Sequence, residues 1–421
     1  MLLDHNGAYD SRVVREARAL IAAGYNLRVF CKSVSPAPVD SRDVDIIYVD
    51  CYFDSNKSLR NFFQFKDRRL IMKPQTSATS NLSQTPALPT KNIFKRIIGT
   101  MISFYTNFLT VRDSVLDFAP DIIHAHDLSM LPAGVKLAKI LNIPLIYDSH
   151  EYEYDRNVIE NRFQKAIRRK VECHNITKAD AVITVSDSIA DALQVRHGIL
   201  RPHIVLNSSE KNRTTSSPLT REKLSFPSGP IGVYFGGVQS GRGLEQAIEA
   251  ISYVPDCLCI IGRITESQRK GLMSHATKLG VDQKVFLLPP LSTGEILSIG
   301  GIFDYAIIPI QNTCESYNFA LPNKLFQSTS AGLPLIVTPL TEIRRFTKYY
   351  DLGYVANGFT GRELADAILS LGTSPLNSAK HKGLESYSWQ SSEKILLSIY
   401  KSLLKGKKLP PSQSLPHSHG V

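Results

Sequence analysis

From Pro120 to about Gly372, short apolar runs alternate with segments of helical periodicity, and nothing else in the chain restricts the fold as strongly. PDIIHAHD reads as a strand, LPAGVKLAKILN as a helix, IPLIYDSHE as a strand and FQKAIRRKVECHNITKA as a helix. AVITVS is a strand whose Ser186 caps the helix DSIADALQVRHG, and HIVLNS is the next strand. Strands this continuously apolar are covered on both faces, which makes the sheet parallel. The start of the chain fits the same scheme. A strand stub, the Gly7 loop, the helix DSRVVREARALIAAG capped by Asp10, and the strand NLRVFC make a first βαβ unit.

After EKNRTTSSPLT, which reads as a hinge, the pattern begins again with PIGVYFGGV running into a glycine-rich turn. Helices RGLEQAIEAIS, ESQRKGLMSHATKLG and EILSIGGIF alternate with strands CLCIIG, VFLLPPL and YAIIPI, and Ser292 with Glu295 forms a capping box. Thr360 and Glu363 cap the helix RELADAILSLG. The 421 residues therefore divide into an N-terminal domain, 1–209, and a C-terminal domain, 210–385. Residues 386–421 supply a final helix, from about Ser391 to Leu404, and a tail expected to be disordered. Within the first domain, residues 55–90 break the periodicity as a basic, aromatic and then Ser/Thr/Pro-rich insertion.

Charge is concentrated in one place. The chain carries a formal +11, and Lys57 to Arg112 contributes +9 of it, with Asp67 the single acid in that region. The remainder is close to neutral, which argues against a nucleic-acid-coating surface. Ile93 to Val111 places apolar residues at helical spacing beside Lys95 and Arg96. That helix either packs on its own domain or lies in a membrane interface, and the basic stretch beside it raises contact with an anionic membrane through 57–112. No segment reaches 18 uncharged apolar residues and MLLDHNGAYDS is no signal peptide, so a cytoplasmic place, peripheral at the inner membrane face, is the expectation. Six cysteines without CxxC or zinc spacing read as small buried apolar residues in a reducing compartment.

Parallel sheets bind ligands beyond the carboxyl ends of their strands, which directs attention to the residues just after each one. In GGVQSGRG (Gly236, Gly237, Arg242, Gly243) a turn feeds a helix, as a phosphate site or as a tight connection only. It is no dinucleotide fingerprint, because the following strand ends in Gly262-Arg263 and brings no acid to a ribose. In ESYNFALPNKLFQSTSAGLPLIVT, a loop is read as leading into a helix that opens near Leu321-Pro322 and stops at Gly332. Lys324 lies in its first turn, where a cation opposes the helix dipole unless an anion binds there, and Arg242 repeats that arrangement. HAHD turns both rings to one side of a strand beside Asp127, but no further ligands follow at metal-site spacing, so no metal is assigned. His150, between Asp148 and Glu151, is either structural or a contact to a substrate hydroxyl.

Taken together, DSRVVREARALIAAGYNLRV, PDIIHAHDL with LPAG, PLIYDSHE, ITVSDSIADAL, GGVQSGRGLEQAIEAI and LPNKLFQSTSAGLPLIV resemble glycosyltransferase family 4 in order and spacing. The resemblance covers nearly the whole chain apart from 54–90 and the tail. It implies an α/β GT-B fold, two Rossmann-like doubly wound parallel-sheet domains facing a cleft. The acceptor would lie in the N-terminal domain and the nucleotide diphosphate sugar in the C-terminal one. It also implies transfer with retention, without metal or cofactor, and a last helix that crosses back to the first domain. The acceptor would be a glycan, lipid-linked where the basic segment meets a membrane, as in polysaccharide synthesis.

Carried over residue by residue, Arg242 before Gly243 matches one family cation, while Val238 stands where the second is usual. Gln327 replaces the ribose-binding glutamate, and Phe319 stands at the first glutamate of that pair, with Glu315 four residues earlier. His150 matches a histidine near the transferred sugar. The donor side comprises Gly236, Gly237, Arg242, Gly243, Gly262, Arg263, Asn318, Leu321, Asn323, Lys324 and Gln327. The acceptor side comprises Asn6, Gly7, His126, Asp127, His150 and Glu151, and His150, Arg242 and Lys324 are the catalytic candidates. Two other readings remain: a non-catalytic scaffold that has lost donor binding through Val238 and Gln327, or a sugar-nucleotide epimerase of the same fold.

Overall fold

The computed structural model describes residues 1–4, 10–31, 44, 46–48, 93–158, 160–208, 220–373, 387–406, 409 and 412–416. Asn6, Gly7, Cys51, nearly all of the expected hinge and most of the basic segment fall outside these residues. The chain forms two compact units, Met1–Asp148 with Ile159–Asp180, and Ser149–Val158 with Ala181–Val421.

In the first unit, β1 (Leu2–Leu3), β2 (Val29–Cys31), β3 (Ile46–Tyr48), β4 (Ile123–His126) and β5 (Leu145–Ser149) stand side by side in the order β3-β2-β1-β4-β5. Their pairings are parallel, with His126 in register with Asp148. Asp10 caps the helix Ser11–Ala22, its carboxylate accepting from the Arg12 and Val13 amides. Leu3, Val13, Ala17, Val29 and Cys31 close a core between that helix and the sheet. The helix Asp127–Leu141 opens four residues earlier than the LPAG pattern suggests. Asp127, at φ 60°, turns the chain straight out of β4 into it.

The helix Ile93–Phe118 outruns its apolar pattern by seven residues. Val111 and Val115 are buried, whereas Met101 (59%), Ile102 (39%) and Tyr105 (54%) are exposed. Among the described residues of this helix, the later ones are thus the better buried.

The second unit contains the paired β6 (Ala181–Thr184) and β7 (His203–Ile204). It also contains a six-stranded sheet built from β8 (Ile231–Phe235), β9 (Cys257–Ile261), β10 (Val285–Leu288), β11 (Tyr305–Ile308), β12 (Leu335–Val337) and β13 (Gly353–Val355). The order is β10-β9-β8-β11-β12-β13 and the pairings are parallel. This is the doubly wound arrangement, with its reversal of strand order between β8 and β11. The apolar run VYFGG explains the placement of β8: Val233 and Phe235 face one core, and Tyr234 the other.

The expected capping boxes at Ser292–Glu295 and Thr360–Glu363 form, and Ser186 caps its helix. Cys257 and Cys259 share one core face, as strand alternation predicts. Cys173, however, is exposed, because its helix Arg162–Ile176 turns that position to solvent. The last helix begins at Trp389, capped by Ser388. Part of the tail is ordered, contrary to expectation: the Leu415 amide donates to the Asp187 carboxylate at 3.0 Å, and Ser412 Oγ to the Pro202 carbonyl at 2.7 Å.

Candidate active site

The strand reversal in the second unit places two connections side by side, the turn after β8 and the loop after β11. Open α/β sheets take their ligands at such a point. The two connections are joined directly, since the Gln311 amide donates to the Gly241 carbonyl at 2.9 Å. Glycine is required here by close approach. A Cβ on Gly243 (φ 73°) would stand 1.8 Å from the Pro309 carbonyl oxygen, and one on Gly262 would stand 1.9 Å from that of Gly236. The turn is thus pressed against both neighbouring strand ends, which leaves its backbone close to whatever binds there.

Lys324 enters from the helix Asn323–Ser330, whose N-cap position is Pro322. The side chain is buried. Its Nζ donates to the Tyr234 hydroxyl at 2.6 Å, lies 4.0 Å from the centre of that ring, and packs against Gly236. Tyr234 in turn donates to the Gly237 carbonyl at 3.2 Å. Arg242 lays its guanidinium on the Tyr317 ring, 4.8 Å from the centroid. Burial, and then the charge of Arg242, hold the Lys324 amine well below the ordinary lysine value. The two cations are therefore close enough to repel. Among the described residues, neither forms an ion pair with a carboxylate. A buried amine and a guanidinium beside one glycine turn, with no carboxylate counter-ion among the described residues, suit the binding of an anion.

The stretch expected to be a loop before this helix holds a helical turn, Glu315–Phe319. Asp155 fixes it by accepting from the Glu315 amide through its carboxylate and from the Ser316 amide through its carbonyl, both at 3.0 Å. Asn157 donates to the Ser240 carbonyl at 2.7 Å and the Tyr317 hydroxyl at 3.0 Å, tying both connections together. Sequence reading missed Tyr234, Tyr317, Asp155 and Asn157. Tyr234 is hidden in an apolar run, and the others act through contacts about 80 to 160 positions away.

The remaining donor-side candidates divide. Gln327 is half-buried, its Nε2 donating to Thr293 Oγ1 at 3.3 Å, while Asn323 and Arg263 are exposed. Leu321 is a core residue by its side chain, so only its backbone can serve a ligand. Asn318 accepts from the Thr341 amide at 2.9 Å and so braces the next helix. Val238 packs partly on the core, and its carbonyl accepts from Gln268 at 2.7 Å. His150 follows β5 in a turn closed by Ser149 Oγ donating to the Glu151 carbonyl at 2.9 Å. Glu151 itself accepts from Arg156 at 2.9 Å.

In the first unit, His126 ends β4 and Asp127, half-buried, opens the helix that follows. His126 is not isolated. Its ring stacks on His124 at 4.2 Å, and its Nδ1 lies 3.3 Å from Asp148. Glu16, His124, His126 and Asp148 bring ligand atoms within 4.8 Å of one another, a grouping that their sequence separation concealed. Arg12 already supplies the cation: its guanidinium donates to Asp148 at 2.8 and 2.9 Å and lies 3.1 Å from Glu16. Burial opposes that charge, and the two carboxylates more than restore it, so the Arg12 pKa is raised. A divalent ion would have to share these carboxylates with a fixed guanidinium, which disfavours it.

Two doubly wound parallel sheets are the architecture of the GT-B fold class. Residues 7–208 match the model of the glycosyl transferase 4-like domain. The D-inositol 3-phosphate glycosyltransferase of an Arthrobacter species is 21% identical over 300 residues, covering 66% of this chain and 70% of the relative. The glycogen synthase of Mycobacterium tuberculosis is 22% identical over 315 residues, 69% and 71% of the two chains. Among solved structures, sucrose-phosphate synthase from Thermosynechococcus elongatus superposes with a TM-score of 0.70 at 15% identity, covering 96% of this chain and 99% of that one. Anabaena HepE in complex with UDP gives 0.64 at 13% identity, with 96% and 99% covered. The family match over the first half of the chain, with these relatives and folds, supports a glycosyltransferase of the family 4 type.

Proposed function

We propose that the protein transfers a sugar, with retention and without a metal, from a nucleotide diphosphate sugar to a glycan acceptor. The observation that carries this reading is the convergence of Arg242 and Lys324, neither in an ion pair among the described residues, on the turn after β8. Cleavage of the bond from anomeric carbon to phosphate puts negative charge on the departing diphosphate. The Arg242 guanidinium, the Lys324 amine protonated beside the bound diphosphate, and backbone N–H groups aimed at that charge would stabilise the transition state more than the ground state. They stand where a metal ion would otherwise be needed.

His150, held in its turn beside Glu151, would orient a sugar hydroxyl near the anomeric centre. Gln327 would meet the ribose diol through an uncharged amide, a weaker contact than a carboxylate gives. The first domain, with Asp127 just after β4, would receive the acceptor. That UDP and UDP-glucose occupy Anabaena HepE is in keeping with a nucleotide diphosphate donor here.

A second reading concerns location. Met101, Ile102 and Tyr105 are exposed on a helix that begins beside the basic segment, which favours contact with an anionic membrane and a lipid-linked acceptor. Among the described residues, no helix is long and apolar enough to cross a membrane. The direct test is a donor screen that follows nucleotide release with and without lipid-linked glycans, in chelator, with the product's anomeric configuration read by NMR. Release that needs an added metal ion, or an inverted product, would refute the mechanism. Failure to bind any nucleotide would leave the scaffold reading in its place.

A further inference from the structure

We infer that Tyr234 and Lys324 form a proton-linked clamp, in which an entering diphosphate draws a proton from solvent onto the Lys324 amine while Tyr234 holds that amine against the glycine turn. The inference rests on the reading of this pocket as the donor diphosphate site. Tyr234 is a positioning residue here, acting on the ligand through Lys324.

The geometry has three parts. Tyr234 sits on β8, and its hydroxyl is oriented because it donates to the Gly237 carbonyl at 3.2 Å. That orientation leaves an oxygen lone pair for Lys324 Nζ at 2.6 Å, the one hydrogen-bond partner of this amine among the described residues. Nζ thereby lies against Gly236, where a side chain's first carbon would stand 3.2 Å from it. The amine is thus directed at the turn whose backbone would face a phosphate.

Among the described residues, no carboxylate bonds to the Lys324 amine. Arg242 approaches from the same turn and adds positive charge. Glu295, on the helix packed against that of Lys324, folds back on Ser292 at 2.8 Å. Glu342, on the helix after β12, accepts from the Ser188 amide at 2.7 Å and lies 3.5 Å from Arg345. Tyr305 on β11 is buried, and burial and then the nearby Asp256 carboxylate raise its phenol well above the ordinary value. In such company the amine holds its proton less firmly than an exposed lysine, through burial and then the charge of Arg242, and an arriving anion strengthens that hold. The balance is simple: one N–H bond forms at Nζ, the proton comes from buffer, and no electron changes hands.

The test is calorimetry of the full chain with uridine, guanosine, adenosine and thymidine diphosphates, scanned from about pH 7 to 9 in buffers of different ionisation enthalpy. Wild-type protein is expected to take up protons on binding diphosphate in this range, up to one per site. Lys324→Met is expected to abolish that uptake and weaken binding about tenfold or more. Tyr234→Phe is expected to weaken binding, retain the uptake, and move the fall in affinity to lower pH, because the ammonium has lost an acceptor. A tyrosine of merely structural value would lower the melting temperature without moving that profile.

Diphosphate binding by the wild type without proton uptake would overturn the inference. So would uptake that survives in Lys324→Met, or a Tyr234→Phe profile that superposes on the wild type. Were Tyr234→Phe unable to fold, wild-type uptake and its fate in Lys324→Met would still decide. If the wild type binds none of the four diphosphates, the proposed function itself fails, an outcome distinct from binding without uptake.

Discussion

Arg242 and Lys324 differ in how they hold their charge, and substitutions at them should separate accordingly. Arg242→Ala removes a permanent cation and should lower turnover by about a hundredfold or more, the loss typical of one preorganised donor to a developing oxyanion. A nucleotide-release assay at saturating donor reads this directly. Lys324 also leaves a mark on the unliganded protein. Its amine has a depressed proton affinity in the fold, so the unfolded chain binds more protons between the folded value and the ordinary 10.5. Stability without ligand therefore rises with pH through that window, and Lys324→Met should flatten the rise in a series of thermal melts.

The same arithmetic applies to His124, held well below 6.5 by burial and then by His126. Here the unfolded chain takes the extra proton as pH falls below 6.5, so stability is lost on acidification down to the folded value. His124→Gln should blunt that acid sensitivity, as followed by melting between about pH 4.5 and 7. At this scale the sequence was legible only in part. The cations next to helix starts could be read because they contradict the dipole. The aromatic platforms Tyr234 and Tyr317, and the grouping of Glu16 and Asp148 around an HxH pair, come from contacts that linear spacing does not encode.

Among elements, the connection after β8 tolerates least. Gly262→Ala would drive a methyl to 1.9 Å from the Gly236 carbonyl oxygen, with backbone on both sides of the collision. We expect a loss of about 3 kcal/mol or more, measured by chemical denaturation, together with loss of nucleotide binding. Gly271→Ala, in open space on a helix, should be neutral or slightly stabilising and serves as the control. The helix Ile93–Phe118 offers the opposite case. Replacing Met101, Ile102 and Tyr105 together by Ser should leave the melting temperature within a few degrees while abolishing flotation with anionic vesicles. Vesicle binding that survives this triple change would remove the membrane reading of that face. Caps and strands were the most readable elements, because Asp10, Ser186 and Ser292 announce helix starts through local hydrogen bonds. The turn Glu315–Phe319 was not, since the carboxylate that secures it belongs to Asp155.

For the molecule as a whole, parallel strand order follows from apolar runs that must be covered on both faces, which is why the fold class was accessible before any coordinates. The bounds of the compact units were less so, because they depend on which segments pack together rather than on where periodicity lapses. If the donor pocket lies where the strand order reverses, a nucleoside diphosphate should slow amide exchange in residues 234–243 and 311–328 and leave 123–141 unchanged. Hydrogen exchange with and without the nucleotide reads both halves of that expectation.

The short segment Ser149–Val158 belongs with the later part of the chain, anchored there by Asp155 and Asn157. Anyone recombining this enzyme with a relative to exchange donor preference would naturally splice near residue 209. Such a hybrid would inherit its ten-residue strap from one parent and the loops it fastens from the other. Moving 149–158 along with the C-terminal half keeps those fastenings within one lineage.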